Sequence, residues 1–535
     1  MHRLARALGA ALAVCLGVAA SGPSTPPGPP QRHRAASAPA SGPDGVPSGA
    51  TTVGTADVGA GWVGRENARK GSPAWRIRPG ALASDTQLAG YADRTSIRPG
   101  ERLHLFVTTT APSYTVRAYR LGWYGGALAR LVSTSPVLRG TVQPGRRLDA
   151  RRMVSTSWRR SATLETAGWP EGTYLLRLTD SRGLAKYIPV TVRSSTVRGR
   201  LVLLNAVTTY QAYNTWGGYS LYGGPDNSLA TRADAVSYDR PYDQNGARIV
   251  TNYERALIAE AERADLPLAY LTDLDLERGE HVLDGARGVV SLGHDEYWTT
   301  AMRQRVTAAR DHGTNLAFMG ANPVYWRIRL QPSALGADRV VVGYKSAALD
   351  PVQRSASTTA KWRDNPVPTP ENSLVGMLYE CFPAQGALVV HDPRFFLFRG
   401  TGARNGTSYV GLVGREIDRA YPVAGTPRDL QVVAHSPVAC GPDKRTYSDA
   451  TYYSTSSGAG VFAVGSMLWN KAVAGRDDKY GIDARTVAFA RTVTRNVFSA
   501  MAAGPMGRRH PARGNVAALH VPSRTSTGTG GPIGG

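Results

Sequence analysis

The residue types most able to do chemistry in this 535-residue chain fall in three short clusters. Tyr210-Gln-Ala-Tyr213-Asn214, His294-Asp-Glu296-Tyr-Trp298 and Asn322-Pro-Val-Tyr-Trp326 each bring phenol, carboxylate, imidazole or amide groups together with large aromatic rings. Phenolate and carboxylate are hard anionic oxygens, imidazole is an acid–base group near neutrality, and an asparagine amide can donate a hydrogen bond to an oxyanion. Each has a plainer reading. Buried tyrosines hydrogen-bond through their hydroxyls, a glutamate at a helix start is favoured by the macrodipole, and asparagine before proline shapes a turn.

What lifts the clusters above that reading is what precedes them. Leu201-Val-Leu-Leu204, Gly288-Val-Val-Ser-Leu-Gly293 and Asn315-Leu-Ala-Phe-Met-Gly320 are apolar, strand-like runs, and each cluster begins just past the end of one. Open parallel sheets gather their chemistry at the carboxyl ends of successive strands. From Gly199 onward the pattern alternates strand and helix. A strand at 201–206 is followed by a helix that Asn252 can cap, with Tyr253, Leu257, Ile258 and Ala261 on one face, and then by a strand at 268–271. A strand at 288–292, a helix from Thr299 to Gly313 and a strand at 315–319 continue it. This alternation predicts parallel pairing with right-handed crossovers and a sheet covered on both faces. Later strands are expected at 387–390, 430–434 and 460–464, and a last amphipathic helix carries Val487, Ala490, Val497, Phe498 and Met501.

Between Trp75 and Arg193 the runs are short and partly alternating, at 103–107, 114–119, 173–178 and 187–192, with no long helical pattern among them. An immunoglobulin-like β-sandwich fits that length and spacing. The fold class expected is therefore a multidomain α/β plus all-β chain: an N-terminal sandwich at 73–196 and an α/β domain at 197–505 with a mainly parallel sheet, glutamine-amidotransferase-like or Rossmann-like.

The ends differ from the middle. Residues 1–20 have the positive start, apolar stretch and small-residue site of an exported protein's signal peptide, and their apolar run is too short for a membrane span. Lipidation at Cys15 is the alternative, weakened by Val14 in place of a small residue. Residues 21–72 are rich in Pro, Gly, Ser and Ala and predict a disordered linker; 506–535 predict a disordered tail. After signal removal Cys381 and Cys440 remain, and a disulfide fits an oxidising compartment better than a zinc pair. A formal charge of +23 invites a nucleic-acid partner, but the arginines are dispersed with no dense basic run, so none is expected. Peripheral attraction to an anionic cell envelope remains, as does a homo-oligomer.

The motifs carry a resemblance. Tyr119-Arg-Leu-Gly-Trp-Tyr-Gly-Gly126, Gly172-Thr-Tyr174, Thr209 to Gly218, His294 to Trp298, Gly320 to Trp326 and Gly465-Ser-Met-Leu-Trp469 occur in one order over about 90–502. In that they resemble the large (beta) subunit of N,N-dimethylformamidase and its relatives. The resemblance implies an amidohydrolase acting on a small amide with one non-haem iron, Fe3+, held by two tyrosines and a glutamate. Position by position, it points to Glu296, Tyr213 and Tyr174 as ligands, with Tyr210 as the fallback, and to His294, Asn322 and Lys345 as catalytic residues lining the site. The donor set suits a trivalent iron better than zinc.

Two departures limit the transfer. Asp295 stands where the family has proline, and an export signal and linker are foreign to a cytosolic amide-degrading enzyme. A non-catalytic exported envelope or surface binding protein on the same fold is the alternative. A thiol nucleophile on a glutamine-amidotransferase-like sheet fares worse, because no cysteine follows a strand in the elbow position.

Overall fold

The apolar runs that end in the chemical clusters are neighbouring strands of one nine-stranded sheet. A computed structural model describes residues 61–519, so the signal peptide, Cys15, most of the linker and the end of the tail lie outside the described residues. The molecule is mostly β-sheet, in several sheets, with helices packed on them.

The strands of the large sheet, numbered along the chain, are β1 (Leu201–Asn205), β2 (Leu268–Thr272), β3 (Gly288–Ser291), β4 (Asn315–Phe318), β5 (Leu378–Val389), β6 (Ser408–Arg419), β7 (Gln431–Cys440), β8 (Lys444–Ser454) and β9 (Gly460–Ala463). Their order is β2-β1-β3-β4-β9-β8-β7-β5-β6. The first five pair in parallel, and the remaining pairings are antiparallel. The parallel strands are buried along their whole length, which is why they read as unbroken apolar runs. The expectation of a mainly parallel sheet therefore describes half of it. β6 is interrupted by Arg415, Glu416, Asp418 and Arg419 and β8 by Lys444, Arg445 and Asp449, and that polarity hides them from a search for apolar runs.

Sheet order places a crevice where the chemistry is expected. From β1 the chain turns to β2 on one side and returns to β3 on the other, so the loops after β1 and β3 diverge and open a gap at their carboxyl ends. The helix Ala484–Ala502 lies against the sheet through Val493, Val497, Phe498 and Met501, all fully buried, and the helix Arg255–Arg263 adds Leu257, Ile258 and Ala261. Asn252 does not cap that second helix. It lies within a π-helical turn, Val250–Glu254, that precedes Arg255; such turns are frequent at functional sites.

Before the large sheet, strands Leu88–Ala92, Leu103–Thr109 and Ala162–Leu164 form one small sheet. Ser113–Leu121, Gly172–Asp180 and Ala185–Val192 are the long members of a six-stranded second sheet. Leu103, Leu105 and Val107 meet Val116, Leu176, Leu178 and Ile188 in a core between them. The opposite face of the six-stranded sheet carries Tyr119, Leu121 and Leu175, which join the core of the large sheet instead. Both faces are covered, so alternation in these strands is only partial.

Two segments expected to be disordered are packed where they are described. Trp62 and Val63, on a short helix Trp62–Asn67, are buried, because the two apolar side chains find a seat in the core of the large sheet. In the tail Met506 is fully buried, His510 stacks on Phe396, and Asn515 bonds both the N–H and the carbonyl of Val432. Composition misleads there because a few anchoring residues are enough to seat a polar segment. Among the described residues no helix is long and apolar enough to cross a membrane.

Candidate functional site

The three loops at the crevice are tied to one another through backbone groups before any side chain reaches the site. After β1 a fully buried helix, Val207–Ala212, carries Tyr213 at its end. Its Thr209 hydroxyl accepts from the Glu296 N–H at 3.0 Å, and its Thr208 hydroxyl donates to the Tyr297 carbonyl at 2.7 Å. The loop after β4 grips the same segment. Tyr325 and Trp326 N–H groups both donate to the Glu296 carbonyl at 2.9 Å, and Val324 N–H donates to the Asp295 carbonyl at 2.9 Å. Gly320 allows this approach, since a Cβ there would run into the Gly293 carbonyl oxygen. Asn322 takes a left-handed backbone, φ 58°, with its N–H bonded to Asp418 at 2.9 Å.

So clamped, the Glu296 carboxylate is the hub. It is fully buried and accepts from the Tyr213 hydroxyl at 2.8 Å, from the Tyr222 hydroxyl, and from the Asn322 amide at 3.2 Å. The Tyr213 and Tyr222 rings stack with centroids 4.5 Å apart. His294 Nε2 stands 3.5 Å from Glu296 and 3.8 Å from a second acid, Glu416. Lys345, also on a left-handed backbone, holds its Nζ 3.2 Å from the centre of the Tyr222 ring, with the Trp326 and Tyr297 rings at 4.8 and 5.2 Å.

Burial dominates the electrostatics. It pushes Glu296 up and Glu416 up to about 7, and in the ring around them Asp418 to about 8 and Asp295 to about 6. Burial, reinforced by the charge of Glu296, holds both phenols well above the ordinary tyrosine value. It lowers Lys345 well below the usual lysine range, and it lowers His294, with the guanidiniums of Arg248 and Arg415 adding to the effect. Several buried atoms here have no hydrogen-bond partner: Lys345 Nζ, Asn322 Oδ1 and Glu416 Oε2. Buried polar atoms are normally paired, so this many together mark a place prepared for something else.

Five of the expected site residues, Tyr213, Glu296, His294, Asn322 and Lys345, are brought together. Tyr174 is not. It is fully buried in the sandwich core, stacked on Trp169, and its hydroxyl donates to the Pro170 carbonyl at 2.6 Å. The reason is strand register. Thr173 faces the large sheet and bonds the Asn205 side chain at 2.8 Å, so the next residue must face the other way. Tyr210 is not at the hub either; its hydroxyl bonds Glu254. The second phenol at Glu296 belongs to Tyr222, in the turn Ser220-Leu-Tyr-Gly-Gly224, whose adjacent glycines were the available signal. Glu416 comes from β6, far along the chain and in no motif. The donors that converge are phenols and one carboxylate, and among the described residues no group of three or more His, Cys, Asp or Glu is arranged to hold a metal.

A cavity of about 530 Å3 opens onto this cluster, lined by Tyr213, Tyr222, His294 and Glu416 and by Arg248 and Arg415. A larger hollow of about 970 Å3 lies among Arg198, Arg287 and Thr314, at the amino ends of the same parallel strands. None of the unpartnered buried atoms lines it, so the smaller cavity is the better candidate.

A protein-family profile described as N,N-dimethylformamidase beta subunit-like, C-terminal, matches residues 115–481. A comparison with curated proteins found no significant match. Among solved structures, a Paenibacillus sp. cycloisomaltooligosaccharide glucanotransferase complexed with cycloisomaltoheptaose is 15% identical, over 23% of this chain and 16% of that one, with a TM-score of 0.14. A likeness that small carries no argument.

Proposed function

Because the chain belongs to the N,N-dimethylformamidase beta subunit-like family, we propose that it hydrolyses the C–N bond of an amide in the crevice at Glu296. The observation that carries this is the convergence of two phenols on one buried carboxylate, ringed by polar atoms without partners.

The residues fit a mononuclear iron. Tyr213, Tyr222 and Glu296 offer three hard oxygens at one point, the donor type a trivalent cation prefers. Bound there, iron would supply Lewis-acid polarisation of the amide oxygen and acidify a water. The chain's own groups supply the rest. Glu416, near neutrality at about 7 and with Oε2 free, can take a proton from the attacking water and return it to the departing nitrogen. His294 Nε2, between Glu296 and Glu416, holds the imidazole where a proton can pass between the two acids. Asn322 orients Glu296 through its amide nitrogen, and Lys345 fills the aromatic box behind Tyr222 and packs against that ring.

The same reading takes the two-sheet unit as immunoglobulin-like, the parallel strands as glutamine-amidotransferase-like or Rossmann-like, and the protein as exported. Cys381 and Cys440 lie against each other with Cα atoms 6.2 Å apart, which supports a bridge and an oxidising compartment.

The test joins metal content to turnover. Protein purified from an iron-replete host should hold about one iron per chain, show phenolate-to-iron colour, and release amine from small amides. Tyr213→Phe and Tyr222→Phe should each bleach the colour, while Tyr174→Phe leaves it intact. Colourless, iron-free protein that turns over no amide would favour the binding-protein alternative.

A further inference from the structure

The cavity is out of scale with a formamide of a small amine, which would leave most of its 530 Å3 to water. Its walls are also chemically uneven. Ile249, Phe382 and Met467 give an apolar side, and Arg248 and Arg415 present two guanidinium groups to the same space.

Neither guanidinium is spent on the fold. Arg248 donates once, from Nη2 to the Tyr213 carbonyl at 3.3 Å, and its buried Nε has no partner. Arg415 reaches only the Tyr480 hydroxyl at 3.3 Å, beside the Phe382 ring. Three other arginines are paired with acids at close range: Arg120 with Glu262, Arg339 with Asp239, Arg363 with Glu371. Among the described residues Arg248 and Arg415 make no ion pair. Two acids share this wall: Asp243 is engaged by the N–H and hydroxyl of Thr215, and Glu416 stands 3.8 Å from His294 Nε2. Arg415 also holds a left-handed backbone, φ 47°, at the position immediately before Glu416. A non-glycine residue keeps that conformation where its surroundings fix it, commonly at a ligand site. A guanidinium fork with free N–H groups matches a carboxylate, as it does a phosphate, through two parallel hydrogen bonds.

Resting on the hydrolase reading of the site, we infer that its substrate is an amide that also carries a carboxylate, an N-acyl amino acid in the simplest form. The carboxylate is held by Arg248 and Arg415, the apolar body lies against Phe382 and Met467, and the amide points toward Glu296.

The experiment compares N-formyl-leucine with its decarboxylated counterpart, N-isopentylformamide, using the full chain loaded with iron. The acid should be preferred in kcat/KM by about tenfold or more, the value of one good charge-assisted contact. Arg248→Gln and Arg415→Gln should each remove most of that preference by raising KM for the acid alone, and Arg→Lys at either position should restore part of it. Calorimetric binding of N-formyl-leucine to the wild-type protein and to the double Gln variant, checked for folding by thermal melting, separates the two claims. Binding that needs both arginines without turnover of either compound would sink the hydrolase reading and leave only the carboxylate site at Arg248 and Arg415 standing, with the substrate claim overturned. Equal or better use of the neutral compound, a preference that survives the double substitution, or no binding of the acid to folded wild-type protein would overturn the inference.

Discussion

Two buried polar clusters in this molecule are built from the same groups and finished differently. The first joins the six-stranded sheet to the helix Arg255–Arg263. Arg120 donates to the Glu171 carbonyl at 2.7 Å, to the Tyr124 hydroxyl at 2.8 Å and to Glu262 at 2.5 and 3.0 Å, while Tyr270 and Asn67 fill the remaining positions on Glu262. No atom of Arg120 or Glu262 is left unpaired. The second, at Glu296, contains a lysine without an acceptor, an asparagine oxygen without a donor and a glutamate oxygen without either. Low dielectric makes each omission expensive. The Arg120 cluster holds the fold together, and the Glu296 cluster is held open by the fold.

The largest effect should come from damaging the closed cluster. Arg120→Leu strands the Glu262 carboxylate in a fully buried place, and a loss of about 3–5 kcal/mol is expected in urea unfolding. Glu296→Gln in metal-free protein should cost less than about 1 kcal/mol or stabilise, because it removes a desolvated charge, and in protein from an iron-replete host it should abolish amide turnover. Equal costs for the two substitutions would erase the contrast.

Glu254 sharpens it, being a buried acid of the closed kind directly under the crevice. It accepts from Asn205 at 2.6 Å, from the Ala206 N–H at 3.1 Å and from Tyr210, yet burial raises it to about 7. Its folded value lies above its unfolded one, so the native state binds the extra proton between the two. Its stabilising contribution is therefore full below about 4.5 and declines as pH rises to about 7. Glu254→Gln should flatten the fall in melting free energy over that window by on the order of 2 kcal/mol; an unchanged slope would show that the acid is ionised throughout.

No loss of activity at all is expected at Tyr174. Tyr174→Phe removes one buried hydrogen bond to Pro170 and should cost about 1 kcal/mol without touching activity. Loss of activity at unchanged stability would return Tyr174 to the site.

How much of this could be read from the chain follows the same division. Tyr213, His294, Glu296 and Asn322 follow apolar strands directly, and a side chain fixed by the end of its own strand is visible locally. Tyr222 and Glu416 arrive from a Gly-rich turn and from a polar antiparallel strand, and nothing beside them in sequence says what they face. The motif containing Arg120 and Tyr124 marks the closed cluster and not the open one, a distinction that a motif cannot carry. Tyr174 shows the limit most plainly: the strand end does meet the large sheet, through Thr173, and one residue of register turns the phenol away.

By itself the sequence determined the parallel strands, the loops that carry the hub and the chemical character of its donors, because hydrophobic runs and chain punctuation are local properties. Which second tyrosine meets Glu296, that Glu416 faces His294, and that Arg248 and Arg415 share a cavity without forming an ion pair were decided by tertiary structure alone, since each depends on segments from β1 to β6 closing around one point.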